Sequence, residues 1–567
     1  MTRANEQICD VLIEAGIEYV FGMPGGGVSA IWTALTSRQA KIRTILVRHE
    51  QAASCMADMY GRLTGKPAVL IGQGPFIGSI GTFGILESFL SYSPMLVLTD
   101  TSDANIFSQH GNYQCGTGEH GSYNLPGILR AASKYVSYAV TPEEAVQGVQ
   151  LAIKHATSGQ PGPACVVMRN AAASGEINPE RGQKIYPTEK YLRTSLTIPP
   201  KPDIEKALEL LTKAKYPVLI AGNGVHVSRA YTELRQLAEL LGMPVATTYK
   251  GKSTFPEIHP LAIGMMGSYG QKLANNVIAD ADVLLVAGSG LSPDNTMNES
   301  TKLIDPSRQT IIQLDIDPRN AGWTYPIEMA LIGDLKPVLQ GLLEAIKERD
   351  GKGLLPTEKR TEALSKRKQA EDFFEAPELY SNTSPILPQR LVHELHEVVT
   401  PSTILTLDAG NNRLWMSHFF RSKGAGTVFG PGGIGGMGWG VAAALAAKLV
   451  YPERPVVSVA GDGGFAMMLN VLPTAVQYRL PVTFVVMNNS GLGMVRDLHP
   501  ETRPDSLTFT ATDYVKVASG FGCRGVRVEK PEELAPALKE AVNAKEPMVV
   551  DVVISNEESI LKIQQAL

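Results

Sequence analysis

The chain has five cysteines, Cys9, Cys55, Cys115, Cys165 and Cys523, scattered and without a CxxC pair. That pattern excludes a disulfide framework and a paired-cysteine zinc site, and it suits reduced thiols in a cytoplasm. Cys115 lies in a polar loop beside Gln114 and Gly116, and with no base near it in sequence it reads as a loop thiol without function. Long apolar runs are also missing. The alanine-rich stretch Val441 to Ala447 stops at Lys448, well short of the roughly 18 residues a spanning helix needs. The N-terminal residues Met1 to Glu6 have no signal-peptide layout. Charge of one sign does not dominate: 52 Lys and Arg face 56 Asp and Glu, a net charge of −4. With no basic stripe or polybasic tail, nucleic acid and membrane surfaces are not expected partners.

What is present is a chain of 567 residues, 44% hydrophobic and 19% charged, long enough for about three or four domains. Two polar, proline-bearing stretches divide it, from about Ala171 to Lys201 and from about Arg349 to Pro385. They leave segments 1–175, 195–350 and 380–555. The second stretch reads as linker, part of it a solvated helix. Apolar runs ending in turn residues predict strands at Ala68–Gly72, Met95–Thr99, Pro217–Gly222, Val283–Gly288 and Thr310–Asp315. Helical spacing marks Ile204–Lys213, Tyr231–Leu241 and Leu335–Lys347, and Asp203 is placed to cap the first of these. Alternating strands and helices predict the α/β class, with three doubly wound parallel-sheet domains. The first and third segments could share a topology.

Two loops carry the strongest chemical signal. Gly461-Asp462-Gly463-Gly464 follows the apolar run Val456–Ala460, and Asn488-Asn489-Ser490-Gly491 follows Val482–Met487. A carboxylate and an amide oxygen are thus delivered to the carboxyl ends of two strands, where open α/β sheets bind ligands. Hard oxygens and closely approachable backbone at helix starts suit a magnesium diphosphate. A third group, Arg48-His49-Glu50-Gln51-Ala52-Ala53, follows the strand Thr44–Val47. Glu50 there reads alone as a cap or ion-pair partner, and beside a diphosphate site as a catalytic acid. The run Gly432-Gly433-Ile434-Gly435-Gly436-Met437-Gly438 alone passes for a dinucleotide loop or a tightly packed helix start.

As an ordered set, these groups resemble the thiamine-diphosphate-dependent decarboxylase and acetohydroxyacid synthase superfamily. Phe21-Gly22-Met23-Pro24-Gly25-Gly26, Gly159-Gln160-Pro161-Gly162-Pro163 and Gln313-Leu314-Asp315-Ile316-Asp317-Pro318 fit the same pattern, so the resemblance spans nearly the whole chain. It implies pyrimidine-binding, central and diphosphate-binding domains, in that order. It implies that Asp462, Asn489 and the Gly491 carbonyl bind Mg2+, with Gly461, Gly463 and Gly464 in the same cofactor loop. Asn411 and Asn412 fall where relatives place further polar contacts to the diphosphate; by themselves they read as a polar turn. Met437, by spacing a core methionine, would wedge thiamine diphosphate into its bent form, and the Gly435 carbonyl would receive the aminopyrimidine amine. Glu50 would hydrogen-bond pyrimidine N1′, which assists removal of the thiazolium C2 proton before attack on a carbonyl. Such a cofactor bridges two domains, which in this superfamily belong to two subunits. A homodimer or homotetramer is therefore implied, acting on a small-molecule substrate.

The substrate side departs from the synthases. Gly74-Pro75-Phe76-Ile77-Gly78-Ser79 stands where they carry Gly-Pro-Gly-Ala-Thr-Asn, His120-Gly121 where they carry Phe-Gln, and Leu498 at their pocket tryptophan. Gly288-Ser289-Gly290-Leu291-Ser292-Pro293 replaces an arginine-bearing flavin loop, which argues against FAD. His110 and His120, in a glycine-rich loop, read either as surface residues or as groups that protonate or orient an intermediate. Gly26, Arg496 and Leu498 complete the expected substrate side. Arg496, like His499, is a carboxylate binder or merely a solvated residue. The expected reaction is cleavage of a 2-keto acid or related acyl donor, with release of an aldehyde or ligation to a second carbonyl. The alternatives are a lyase or hydrolase of a diketone, acyloin or 2-hydroxyacyl thioester, and a non-catalytic regulatory homologue.

Overall fold

A computed structural model describes residues 2–103, 112–178, 187–192, 195–349 and 357–565. The chain forms two compact units. One comprises Met1–Thr194, Pro431–Pro452 and Met468–Leu480; the other comprises Ser195–Gly430, Glu453–Met467 and Pro481–Leu567.

The first unit is built on a six-stranded sheet of β1 (Tyr19–Gly22), β2 (Arg43–Leu46), β3 (Ala68–Gly72), β4 (Met95–Thr101), β5 (Tyr135–Ala139) and β6 (Pro163–Arg169). Its order is β2-β1-β3-β4-β6-β5, and every pairing is parallel. Strands β3 and β4 are buried along their full length because helices cover both faces, which is why β3 and Met95–Leu98 of β4 read as apolar runs.

The second unit holds two sheets. One contains β7 (Pro217–Ala221), β8 (Val245–Thr247), β9 (Ala262–Met265), β10 (Val283–Ala287), β11 (Thr310–Asp315) and β12 (Met329–Ile332), in the order β12-β11-β10-β7-β8-β9. The other contains β13 (Ile404–Leu407), β14 (Val428–Phe429), β15 (Val456–Gly461), β16 (Val482–Asn488), β17 (Arg524–Val528) and β18 (Met548–Val553). Its order, β14-β13-β15-β16-β18-β17, repeats that of the first sheet strand for strand, as the alternation in the sequence had allowed. The expected class, α/β with three doubly wound parallel sheets, is what the chain forms. In the first and third sheets the strand order reverses beside the first strand, and that reversal creates the crevice in which such folds bind ligands.

The second polar stretch is more structured than a linker. Thr357–Ala370 is the solvated helix expected there, and Phe373 and Phe374 beyond it pack into the core of the β7–β12 sheet. The helix expected from Ile204 begins earlier, at Lys201. Asp203 therefore lies in its first turn rather than at the cap, with Pro202 supplying a helical φ within that turn.

Within the second unit, the two sheets are joined through a buried ion pair. Lys252 Nζ lies 2.8 Å from Glu257 Oε2 and donates to the Ser417 carbonyl at 3.0 Å. Glu257 Oε2 accepts from the Ser422 N–H at 2.7 Å. Ser253 Oγ accepts from the N–H groups of Thr427 and Val428 at 3.1 and 2.9 Å. A buried pair is tolerated only with such additional partners.

Candidate active site

In the second unit, three strand ends converge. Asp408-Ala409-Gly410 leaves β13 through Gly410, whose φ of 113° is a left-handed turn suited to glycine, and starts the helix Asn411–Phe419. Asp462 opens the short helix Asp462–Met467 after β15, and Asn489 follows β16. Asp462 is 3% exposed. Its Oδ1 accepts from Gly463 N at 2.9 Å, its Oδ2 from Gly491 N at 3.0 Å, and its own carbonyl from Tyr514 Oη at 3.0 Å. Burial pushes its carboxyl up to about 6, against the opposing pull of the Gly463 and Gly491 N–H groups. A cation bound there would reverse that shift.

Asn411 and Asn489 meet over Gly493: a Cβ on that glycine would fall 3.0 Å from Asn489 Nδ2 and 3.1 Å from Asn411 Nδ2. Asn411 donates to Asp497 Oδ2 at 2.9 Å, while its Oδ1 is buried with no hydrogen-bond partner. Asn412 is turned the other way, donating to the carbonyls of Asp408 and Val459 at 2.8 and 3.2 Å, so it holds the strand end together. The Gly491 carbonyl accepts from Gly493 N at 3.2 Å and retains a second lone pair. One carboxylate, one amide oxygen and one carbonyl are the hard donors magnesium takes, and an open amide acceptor beside them suits its hydration shell. Gly461, Gly463 and Gly464 line the same turn, the last two buried.

Arg496 and Leu498 sit on the next helix, Gly493–Leu498. The Arg496 guanidinium is engaged within the chain, bonding Asp497 Oδ1 at 3.1 and 3.0 Å and Asn556 Oδ1 at 2.9 Å. Leu498 is 45% exposed, and His499 is exposed beside Glu501.

In the first unit, Glu50 is the first residue of the helix Glu50–Thr64 and is 8% exposed. Its stem crosses the end of β3, where a Cβ on Gly72 would meet Glu50 Cγ at 3.4 Å and Ile77 Cδ1 at 3.0 Å. Ile77 begins a π-helical turn, Ile77–Gly81, of the kind that recurs at functional sites. The unusual residues Phe76, Ile77 and Gly78 therefore shape the backbone beside Glu50. Gly26 has φ +51°, and a Cβ there would lie 2.2 Å from Asp100 Oδ2. Asp100 ties the turn together by accepting from Gly27 N and, at 3.0 Å, from Gly74 N. His120 is exposed in a turn between Gly118 and Gly121, both left-handed. His110 lies outside the described residues.

The loop Gly432–Gly438 belongs to this unit, with Gly435 at φ +66° and Met437 half-exposed rather than in the core. Four of its successive N–H groups point at one carboxylate, Glu87. Oε1 accepts from Gly432 and Gly433 at 2.9 and 2.7 Å, and Oε2 from Ile434 and Gly435 at 2.8 and 3.2 Å. Glu87 also pairs with Arg62 at 2.7 Å, and Arg62 pairs with Asp58 at 2.8 Å. Asp58 in turn accepts from Trp439 Nε1 at 2.8 Å. Burial raises the Glu87 carboxyl, but Arg62 and the loop N–H groups outweigh it and hold it below the ordinary carboxylate range. For Asp58 burial wins, and its carboxyl is raised. Sequence reasoning passed over this cluster. The available signal was that Glu87 is the only charged residue between Lys66 and Asp100.

Thiamine pyrophosphate enzyme domain models match the chain in order: the N-terminal TPP binding domain at residues 2–119, the central domain at 204–342 and the C-terminal TPP binding domain at 408–552. The chain belongs to the thiamine pyrophosphate enzymes, whose reactions form or cleave carbon–carbon bonds on thiamine diphosphate. It is 33% identical to the probable acetolactate synthase large subunit of Methanocaldococcus jannaschii, over 98% of this chain and 93% of that protein. It is 30% identical to acetolactate synthase isozyme 3 large subunit of Escherichia coli, over 100% and 97%, and 32% identical to the acetolactate synthase large subunit of Corynebacterium glutamicum, over 97% and 86%. Among the described residues, no helix is long and apolar enough to cross a membrane.

Proposed function

We propose that this chain is an acetolactate synthase-like carboligase that takes a 2-keto acid as donor and joins its acyl fragment to a second carbonyl compound. The observation that carries the reading is the convergence of Asp462, Asn489, Gly491 and Asn411 at the ends of β13, β15 and β16. Asp462, Asn489 and the Gly491 carbonyl would hold Mg2+, and Asn411 and the glycines of the Asp462 turn would face the diphosphate. Asn412 supports the site by fixing the strand end. When bound, thiamine diphosphate supplies a nucleophilic carbon and an electron sink. Glu50 would hold a proton at the pyrimidine N1′, from a buried position that excludes bulk water. Gly435 and Met437 would contact the pyrimidine side. The chain would act in the cytoplasm as a homodimer or homotetramer, and the reading needs no FAD.

On the substrate side, Gly26, His120, Arg496 and Leu498 would each meet the substrate, and His110 stands ten positions before His120 in the sequence. Leucine in place of tryptophan would leave more room for an acceptor. The test is to incubate purified protein with thiamine diphosphate and Mg2+ against 2-keto acids, alone and in pairs, and to read products by mass spectrometry. A 2-hydroxy-2-alkyl-3-keto acid supports the proposal. Turnover of diketones or 2-hydroxyacyl thioesters alone would move the protein to the lyase or hydrolase alternative.

A further inference from the structure

The carboxylate of Glu87 receives six hydrogen bonds: four from the successive N–H groups of Gly432 to Gly435, one from Arg62 and one, at 3.1 Å, from Ser91 Oγ. An ionised carboxylate offers about four lone-pair sites, so this is a saturated acceptor, and charge-assisted bonds of this kind are roughly twice as strong as neutral ones. Successive N–H groups facing one point form an anion nest. Here the anion is a side chain of the protein itself, and Glu87 is 0% exposed. Two further contacts press the loop onto the helix Thr82–Ser91. A Cβ on Gly433 would fall 2.8 Å from the Glu87 carbonyl oxygen, and one on Gly436 would fall 2.2 Å from Phe83 Cζ.

Charge balance alone does not account for the cage. Arg62 already has Asp58, and the bond of Asp58 to Trp439 falls just past the loop, not on residues 432–435. What Glu87 adds is the conformation of residues 432–435, including Gly435 in the left-handed region at φ +66°.

We infer that Glu87 is a positioning residue for cofactor binding: its carboxylate holds the glycine loop in the shape that presents the Gly435 carbonyl and Met437 to the aminopyrimidine. This rests on the reading of Gly435 and Met437 given above.

The test compares wild type with Glu87→Gln and Asp58→Asn, two isosteric neutralisations in the same buried cluster, of which only Glu87 bonds residues 432–435. Amide hydrogen exchange of the cofactor-free protein should show residues 432–435 deprotected in Glu87→Gln and protected in Asp58→Asn. Affinity for thiamine diphosphate with Mg2+, read by calorimetry, should fall about 10- to 100-fold in Glu87→Gln, the usual cost of losing a supporting partner. Asp58→Asn should lower the melting temperature without changing that affinity. If Glu87→Gln does not fold, Glu87→Asp, which keeps the charge but is one methylene shorter, should show the same weakened affinity. Wild-type loop protection and affinity in the folded Glu87 variant, or equal loss in both variants, overturns the inference. Wild type that does not bind thiamine diphosphate would instead overturn the cofactor reading beneath it.

Discussion

Asp462 Oδ2 and the Gly491 N–H are 3.0 Å apart, so the carboxylate at the end of β15 fixes the turn leaving β16. Asp462→Asn keeps the size of the side chain but removes the negative charge and leaves one acceptor oxygen for the N–H groups of Gly463 and Gly491. Affinity for Mg2+ and thiamine diphosphate should drop at least about tenfold while the fold, followed by circular dichroism, persists. Unchanged affinity would remove Asp462 from the metal site.

Glu50→Gln should slow hydrogen–deuterium exchange at thiazolium C2 severely in the reconstituted protein, because an amide cannot exchange a proton with N1′ as a carboxyl group does. Exchange followed by NMR at the wild-type rate would sink the role.

Gly26→Ala combines two costs. A left-handed φ costs a non-glycine residue roughly 1–2 kcal/mol, and the new Cβ collides with Asp100 Oδ2 at 2.2 Å. Gly16 also has positive φ, +72°, but open space around it. Gly26→Ala should therefore lower stability in urea melts by clearly more than Gly16→Ala. Equal losses would mean that Asp100 yields freely.

His120→Ala and Arg496→Ala test the substrate side. Asp497 retains Asn411 and the Ile560 N–H as partners when Arg496 is removed, so the fold should survive. The expected outcome is altered donor or acceptor preference in at least one variant. If both keep wild-type turnover and product ratios, neither residue meets the substrate.

Burial pushes the His418 imidazole down to about 4, with its Nδ1–H donating to the Tyr269 carbonyl at 3.1 Å, and burial likewise holds His396 at about 4. Both are neutral when folded, whereas an unfolded histidine titrates near 6.5. Between these values the unfolded chain binds more protons, so stability should fall as pH drops from about 6.5 toward 4. Asp462, raised to about 6, acts in the opposite sense. The check is the difference in melting temperature against pH between wild type and a His396→Gln, His418→Gln double variant. A slope in that window identical to wild type counts against the histidines.

Much of this was legible in the sequence because it is local. The helix Tyr231–Leu241 has its full amphipathic period, and β16 is a mostly apolar run buried throughout, so the sequence marks both within a residue or so of their ends. The Asp462 and Asn489 loops were visible because each follows such a strand. Strand β14 has two residues and β17 is mostly solvent-facing at one edge, so neither carries a periodic signal. The convergence of Asn411 and Asn489 on Gly493, and the grip of Glu87 on a loop 345 residues away, depend on tertiary contact and have no local pattern.

The buried Lys252–Glu257 pair sets a rule for recombination. Lys252 reaches the Ser417 carbonyl in the helix that begins at Asn411, and Glu257 and Ser253 hold residues Ser422, Thr427 and Val428. The middle of the chain is thus fastened to the element that carries Asn411. Chimaeras that exchange the central region with a relative should keep residues 252–257 and 417–428 from the same parent. Splitting these segments between parents would strand a buried ammonium or carboxylate and disturb Asn411 from its far end.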